Sequence, residues 1–142
     1  MTFAWPDYVT VAEDLVKVNR PTASAEALAR AAVSRAYYAV HHAARQLTTE
    51  RAIPLPTKPN AEGGIHQQVI DAMFSVKDPA WGEAAQHLDR LRRLRVNADY
   101  HVPLPVDPWG SDDGSVKKQA TFVVAMARSL IRELQALPPG PP

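Results

Sequence analysis

The sequence contains no cysteine. That excludes a disulfide scaffold, a thiolate zinc site and a cysteine nucleophile, and it fits a reducing, cytoplasmic setting. No apolar run approaches the ~20 residues of a membrane span; the longest obvious one is Phe122 to Ala127. The opening residues Met1 to Tyr8 carry neither a basic nor a long apolar stretch, so neither a signal peptide nor membrane attachment is expected. Excess charge of one sign is also missing. Sixteen Lys and Arg against 15 Asp and Glu leave a net charge of +1, so nucleic-acid binding would have to come from local clustering. There is no glycine-rich phosphate loop, because Gly63 and Gly64 follow a proline-rich stretch rather than a strand, and no serine sits in a nucleophile-elbow pattern. What remains is 142 residues, 46% of them hydrophobic. That is too apolar for a disordered chain and enough for the core of one domain.

Proline and glycine punctuate the chain. Pro54, Pro56 and Pro59 with Gly63 and Gly64 define one loop, and Pro103, Pro105, Pro108, Gly110 and Gly114 a second. Residues 138–142, the run after Leu137, read as a flexible proline-rich tail to a single domain over residues 1–137. Between these marks the apolar spacing is helical and shows little alternation of period two. A first helix starts near Pro6 with Tyr8, Val11, Leu15 and Val18 on one face. A second runs from an N-cap at Ser24 to about Thr49, with the seam Ala29, Val33, Ala36, Val40, Ala43, Leu47. A third spans about Gly64 to Val76, and a fourth Pro79 to Tyr100 with the seam Trp81, Ala84, Leu88, Leu91, Arg95, Ala98. The fifth begins between Ser111 and Ser115 and carries Val116, Ala120, Val123, Ala127, Leu130, Leu134 and Leu137. The fold expected is all-α: an antiparallel up-and-down bundle of four to five helices.

Two segments hold candidate chemistry. In Leu88 to His101, Arg90, Arg92, Arg93 and Arg95 crowd six positions but point in different directions at ~100° per residue. Arg90 and Arg93 read as a solvated face. Arg95 occupies a slot in the apolar seam and cannot lose its charge, so it needs an anion. Asp99, four residues on, can supply one; a phosphate held at a groove or dimer seam is the other reading. His101 falls where Val102 and Pro103 end the helix, either as a surface cap or swung toward Arg95. On the second helix, Arg35, Tyr38, His42 and Arg45, spaced three, four and three, form a cationic stripe with an aromatic. Such a stripe suits phosphate and base contacts and also resembles an ordinary solvated face. His41 and His42 diverge by ~100°, and His66 and His87 have no ligands at metal spacing, so no metal and no cofactor is expected.

The segment AVSRAYYAVHHAARQL, Ala32 to Leu47, resembles the long conserved helix of HEPN domains. LRRLRVNADYH, Leu91 to His101, resembles their later helix, and GIHQQVI, Gly64 to Ile70, a short helix start carrying a histidine. The resemblance covers about Ala25 to Leu137. It implies a helical bundle that commonly forms homodimers, and for many members a metal-independent endoribonuclease of toxin or defence type. Their signature is an arginine, four to six residues, then a histidine, brought into one composite cleft at the dimer seam. Arg95, five residues, His101 fits that spacing. The resemblance makes Arg95 the phosphate-stabilising group and His101 the proton carrier for the ribose 2′-hydroxyl or the leaving 5′-oxygen, with RNA as substrate. Arg35, Tyr38, His42, Arg45 and Asn97 join as substrate-binding residues, and Asp99 and Tyr100 as supporting ones. This chain departs at Val96, where ribonuclease members have a polar residue, and at Pro103, where many have a tyrosine. The alternative is a non-catalytic binding module of the same fold, partnering a nucleotidyltransferase or antitoxin protein in a two-gene system. A third reading is a helical adaptor whose Trp5, Trp109 or Tyr38 marks a protein interface.

Overall fold

A computed structural model of the chain describes residues 3–19, 23–56, 64–100 and 116–139. These residues form five helices and no strand: α1 (Asp7–Lys17), α2 (Ala25–Glu50), α3 (Gly64–Ser75), α4 (Pro79–Tyr100) and α5 (Val116–Gln135). Among them no helix is long and apolar enough to cross a membrane.

The helix ends follow local chemistry. The Ser24 hydroxyl accepts from the backbone N–H of Ala27 at 3.1 Å, capping α2. The carboxylate of Asp78 accepts from Ala80 N–H at 2.9 Å, with Pro79 as the first residue of α4. Helix α2 ends through Ala52, whose φ of 54° is left-handed. Ile53 N–H returns to Thr48 O at 2.9 Å and Ala52 N–H to Thr49 O at 3.1 Å, a Schellman closure built on alanine where glycine is usual.

Helix α2 packs against all four other helices. Arg30, near its start, donates to Ala98 O at the end of α4 at 2.9 Å, so these two run antiparallel. At the other end, Arg51 donates to Leu137 O and Trp81 Nε1 to Pro138 O, which places the end of α2, the start of α4 and the end of α5 together. Helices α2 and α5 therefore point the same way and form the inner diagonal, flanked by α1 and α4 pointing the other way. Ring neighbours are antiparallel throughout, as in an up-and-down bundle. Alanine makes the close diagonal possible: Ala29, Ala32, Ala36, Ala39, Ala120 and Ala127 are buried. Arg128 of α5 pairs with Glu13 of α1 across the outside.

The α4 seam is buried at every expected position, Arg95 included, and on α5 all but the half-buried Val116 are buried. Helix α1 turns differently from the expected face. Val9, Ala12 and Val16 are buried, while Val11 and Val18 are 42% and 40% exposed. Two apolar stripes overlap on this helix, and the one containing the small Ala12 lets α1 lie closer to α2 and α5. The expected start of the fifth helix between Ser111 and Ser115, the loop from Pro103 to Gly114 and most of the tail lie outside the described residues.

Candidate functional site

Four residues of α2 face α3 and α4: Arg30, Ser34, Tyr37 and His41, spaced four, three and four. Arg30 reaches the carbonyls of Ala98 and Asn97, the latter at 3.5 Å. Ser34 donates to the carboxylate of Asp99 at 3.2 Å. The Tyr37 hydroxyl lies 2.7 Å from His66 Nδ1. The His41 ring centre is 4.2 Å from that of His66. The stripe thus forms one wall of a polar pit. Helix α3 supplies His66, and α4 supplies Arg95, Asp99 and Tyr100.

Arg95 stands at the centre, 6% exposed. Its guanidinium carbon lies 5.1 Å from the ring centres of both Tyr37 and Tyr38 and 5.8 Å from that of Tyr100. Cation–π attraction from several rings partly replaces the water that burial removes. Nη2 is 3.5 Å from His66 Nε2, and Nη1 is 3.7 Å from the carboxylate of Asp99. That ion pair is beyond hydrogen-bond length, and the buried Nε of Arg95 has no hydrogen-bond partner among the described residues.

The neighbouring titratable groups are tuned toward neutrality. Burial, then the charge of Arg95, lowers the pKa of His66, with smaller contributions from Arg92 and His42. Burial, assisted by His66 and His42, pushes His41 down to about 3. Burial raises the Tyr37 hydroxyl against an opposing pull from Arg95, so Tyr37 stays a phenol. Neutral histidines leave the guanidinium of Arg95 as the positive charge at the centre of the pit, loosely answered by Asp99. Chemically, such a pit can accept an anion and offer an imidazole as a base.

The structure brings together Arg95, Tyr38, Asp99 and the 71% exposed Tyr100. It does not gather the rest of the expected stripe around them. Arg35 is exposed on the α1 side, 5.8 Å from the ring of Tyr8. His42 stacks on Trp5 at 3.8 Å, and burial and Arg45 lower its pKa. Arg45 is exposed beside them at a shallow hollow with Trp5, Gln46, Thr49 and Glu50. The link back to the pit is the ring of Tyr38, 6.1 Å from that of His42. Asn97 is half-buried, with its backbone carbonyl facing Arg30. His101 and Trp109 lie outside the described residues. Arg93 is 73% exposed and pairs with Asp89 at 2.8 Å, and Arg90 is exposed, as expected of a solvated face. Among the described residues no three His, Asp or Glu side chains are grouped to hold a metal ion.

Sequence reasoning missed Tyr37, His41 and His66 as members of the site. The signal was the stripe Arg30, Ser34, Tyr37, His41, rotated by one position, ~100°, from the stripe at Arg35. No family model, curated protein or solved structure matches the chain.

Proposed function

We propose that this chain is a HEPN-like protein acting on RNA, a metal-independent endoribonuclease in which Arg95 takes the scissile phosphate. One observation carries the reading. A buried guanidinium sits among aromatic rings and neutral histidines, with its nearest described carboxylate at 3.7 Å. A phosphate oxygen arriving at hydrogen-bond distance of Nη1 would displace Asp99 and answer the charge of the guanidinium. Tyr100, whose ring centre lies 5.8 Å from the guanidinium carbon, directly precedes His101, so the motif's second residue follows the wall of the pit in sequence. Stacked faces running from Tyr38 to His42 and Trp5 suit unpaired bases, and exposed Arg45 suits their phosphates. Two copies sharing one cleft, as the resemblance implies, would set Arg95 and His101 on one substrate.

A second reading has an observation of its own. Ser34, Asp99, Arg95 and Arg30 tie the end of α4 to α2, which would serve equally in a non-catalytic module that binds a nucleotidyltransferase or antitoxin partner.

The deciding assay incubates mixed RNA and DNA pools with the protein in EDTA. Wild type is expected to cut RNA only, leaving cyclic phosphate ends, and Arg95→Ala and His101→Ala each to lose roughly two to four orders of magnitude in rate. Inert wild-type protein that is folded would overturn the ribonuclease reading and leave the binding module.

A further inference from the structure

We infer that His66 is the general base of the Arg95 pit, its Nε2 lone pair turned toward the guanidinium and its tautomer fixed by a hydrogen bond from Nδ1–H to Tyr37, so that a phosphate arriving at Arg95 frees Nε2 for the 2′-hydroxyl. This rests on the RNA-cleaving reading above and assigns the first proton transfer to a residue outside the arginine–histidine signature.

The tautomer follows from donor counting. Arginine carries donors and no acceptor. His66 Nε2 faces Arg95 Nη2 at 3.5 Å, so a hydrogen on Nε2 would point one donor at another. The single proton of the neutral ring therefore belongs on Nδ1, which lies 2.7 Å from the Tyr37 oxygen. Tyr37 is wholly buried and fixed on α2, so it holds the imidazole as a second-residue clamp. The ring is enclosed further by His41, 4.2 Å away centre to centre, and by the edge of Tyr38 at 5.9 Å. His66 itself is half-buried, and its Nε2 lies on the same side as the Arg95 Nη2 that would meet a ligand.

The charged and titratable groups facing His66 are Tyr37, Tyr38, His41 and His42 from α2, and Arg92 and Arg95 from α4. Burial first, then the charges of Arg95 and Arg92 and the ring of His42, lower its pKa and keep the ring neutral at neutral pH, the state a base requires.

The step balances without a metal. Nε2 takes the proton of the ribose 2′-hydroxyl. The 2′-oxygen forms a bond to phosphorus as the bond from phosphorus to the 5′-oxygen breaks. The leaving 5′-oxygen takes a proton from the signature's histidine, as the reading above has it; that histidine regains a proton from water, and His66 later returns its own to water. The products are a 2′,3′-cyclic phosphate and a 5′-hydroxyl. Arg95 holds the non-bridging oxygens as their charge grows.

Two measurements on the full chain test this. In 15N-histidine NMR at pH 7, His66 is expected neutral with its proton on Nδ1; a proton on Nε2, or a charged ring, overturns the assignment whether or not RNA is cut. In EDTA, the pH profile of kcat/KM is expected to have an acid limb below the ordinary histidine range. His66→Gln is expected to lose that limb and about 10²–10⁴ in rate. Tyr37→Phe, which removes the clamp but keeps the ring, is expected to lower kcat and move the limb. Cleavage by His66→Gln with the limb unchanged overturns the base while the ribonuclease reading stands. Inert wild type overturns both. Should His66→Gln not fold, Tyr37→Phe decides, and an unmoved limb with full rate counts against the base.

Discussion

Helix α2 has two buried sides that hold the molecule together by different means. On one, Ala29, Val33, Ala36 and Val40 join the apolar core. On the other, Ser34, Tyr37 and His41 meet Arg95, His66 and Asp99 through hydrogen bonds, ring faces and a long ion pair. The apolar side gains from every methyl group withdrawn from water and leaves no polar atom exposed to the core. Among the described residues, the polar side carries two buried nitrogens without a hydrogen-bond partner, Nε of Arg95 and Nδ1 of His41. Each such atom costs about 1–3 kcal/mol relative to a satisfied one. A helix selected for packing alone would place leucine there. The difference teaches that the polar side is kept at the expense of stability, which is the pattern expected of a functional site.

The largest effect should come from the apolar side. Leu88 is fully buried, and Leu88→Ala is expected to cost about 2–5 kcal/mol in urea unfolding, because the cavity it leaves cannot fully collapse. Ala36→Leu tests the same seam from the opposite direction, with about 1–3 kcal/mol lost to overpacking. A loss under about 1 kcal/mol for both would mean that the core does not carry the stability and would remove the contrast between the two sides.

A middle-sized effect should come from acid. His41 titrates at about 3 in the folded chain, well below its ordinary value, because burial and the neighbouring His66, His42, Arg45 and Arg95 disfavour its charged form. A lowered folded pKa means that the unfolded chain binds the extra proton. Stability from this group is therefore intact above about pH 6.5 and lost progressively down to about pH 3, at roughly 1 kcal/mol per pH unit. His66, also lowered, adds in the same direction. Urea midpoints followed from pH 7 to pH 4 should fall steeply for wild type and less steeply for His41→Leu. Parallel slopes would show that His41 is protonated without cost and that the pit is wetter than its geometry implies.

These contrasts also explain what could be read in the sequence. The helices follow from apolar period, alanine content and proline breaks, all local signals, and α4 lies between its expected ends. The pairing of Arg95 with Asp99 is equally local, four residues apart on one helix. His66 is different. It approaches Arg95 across a gap of 29 residues, through the return of α3 against α4, and no spacing within one helix announces that contact. The stripe at Arg35 was the visible cationic pattern on α2. Its Arg35 and His42 turn toward Tyr8 and Trp5 at the α1 side, and only its Tyr38 reaches Arg95. Tyr37 was legible only as half of a tyrosine pair, and a helical turn of ~100° separates the two rings' directions.

The smallest effect on stability should come from the most conspicuous residue. Replacing Arg95 by methionine keeps an unbranched side chain of similar length among the tyrosine rings and removes the buried charge. Desolvating that charge is costly, and its ion pair with Asp99 is long, so exchange for an apolar residue of similar volume is expected to change unfolding free energy by less than about 1 kcal/mol, in either direction. Asp99 keeps its bond from Ser34 and is not stranded in the core. RNA cleavage, by contrast, is expected to fall as far in Arg95→Met as in Arg95→Ala, since neither offers a donor to phosphate. A variant as stable as wild type but inert would show that the guanidinium is there for a ligand. A loss of several kcal/mol would instead make Arg95 part of the scaffold, and the two sides of α2 would then differ in chemistry but not in purpose.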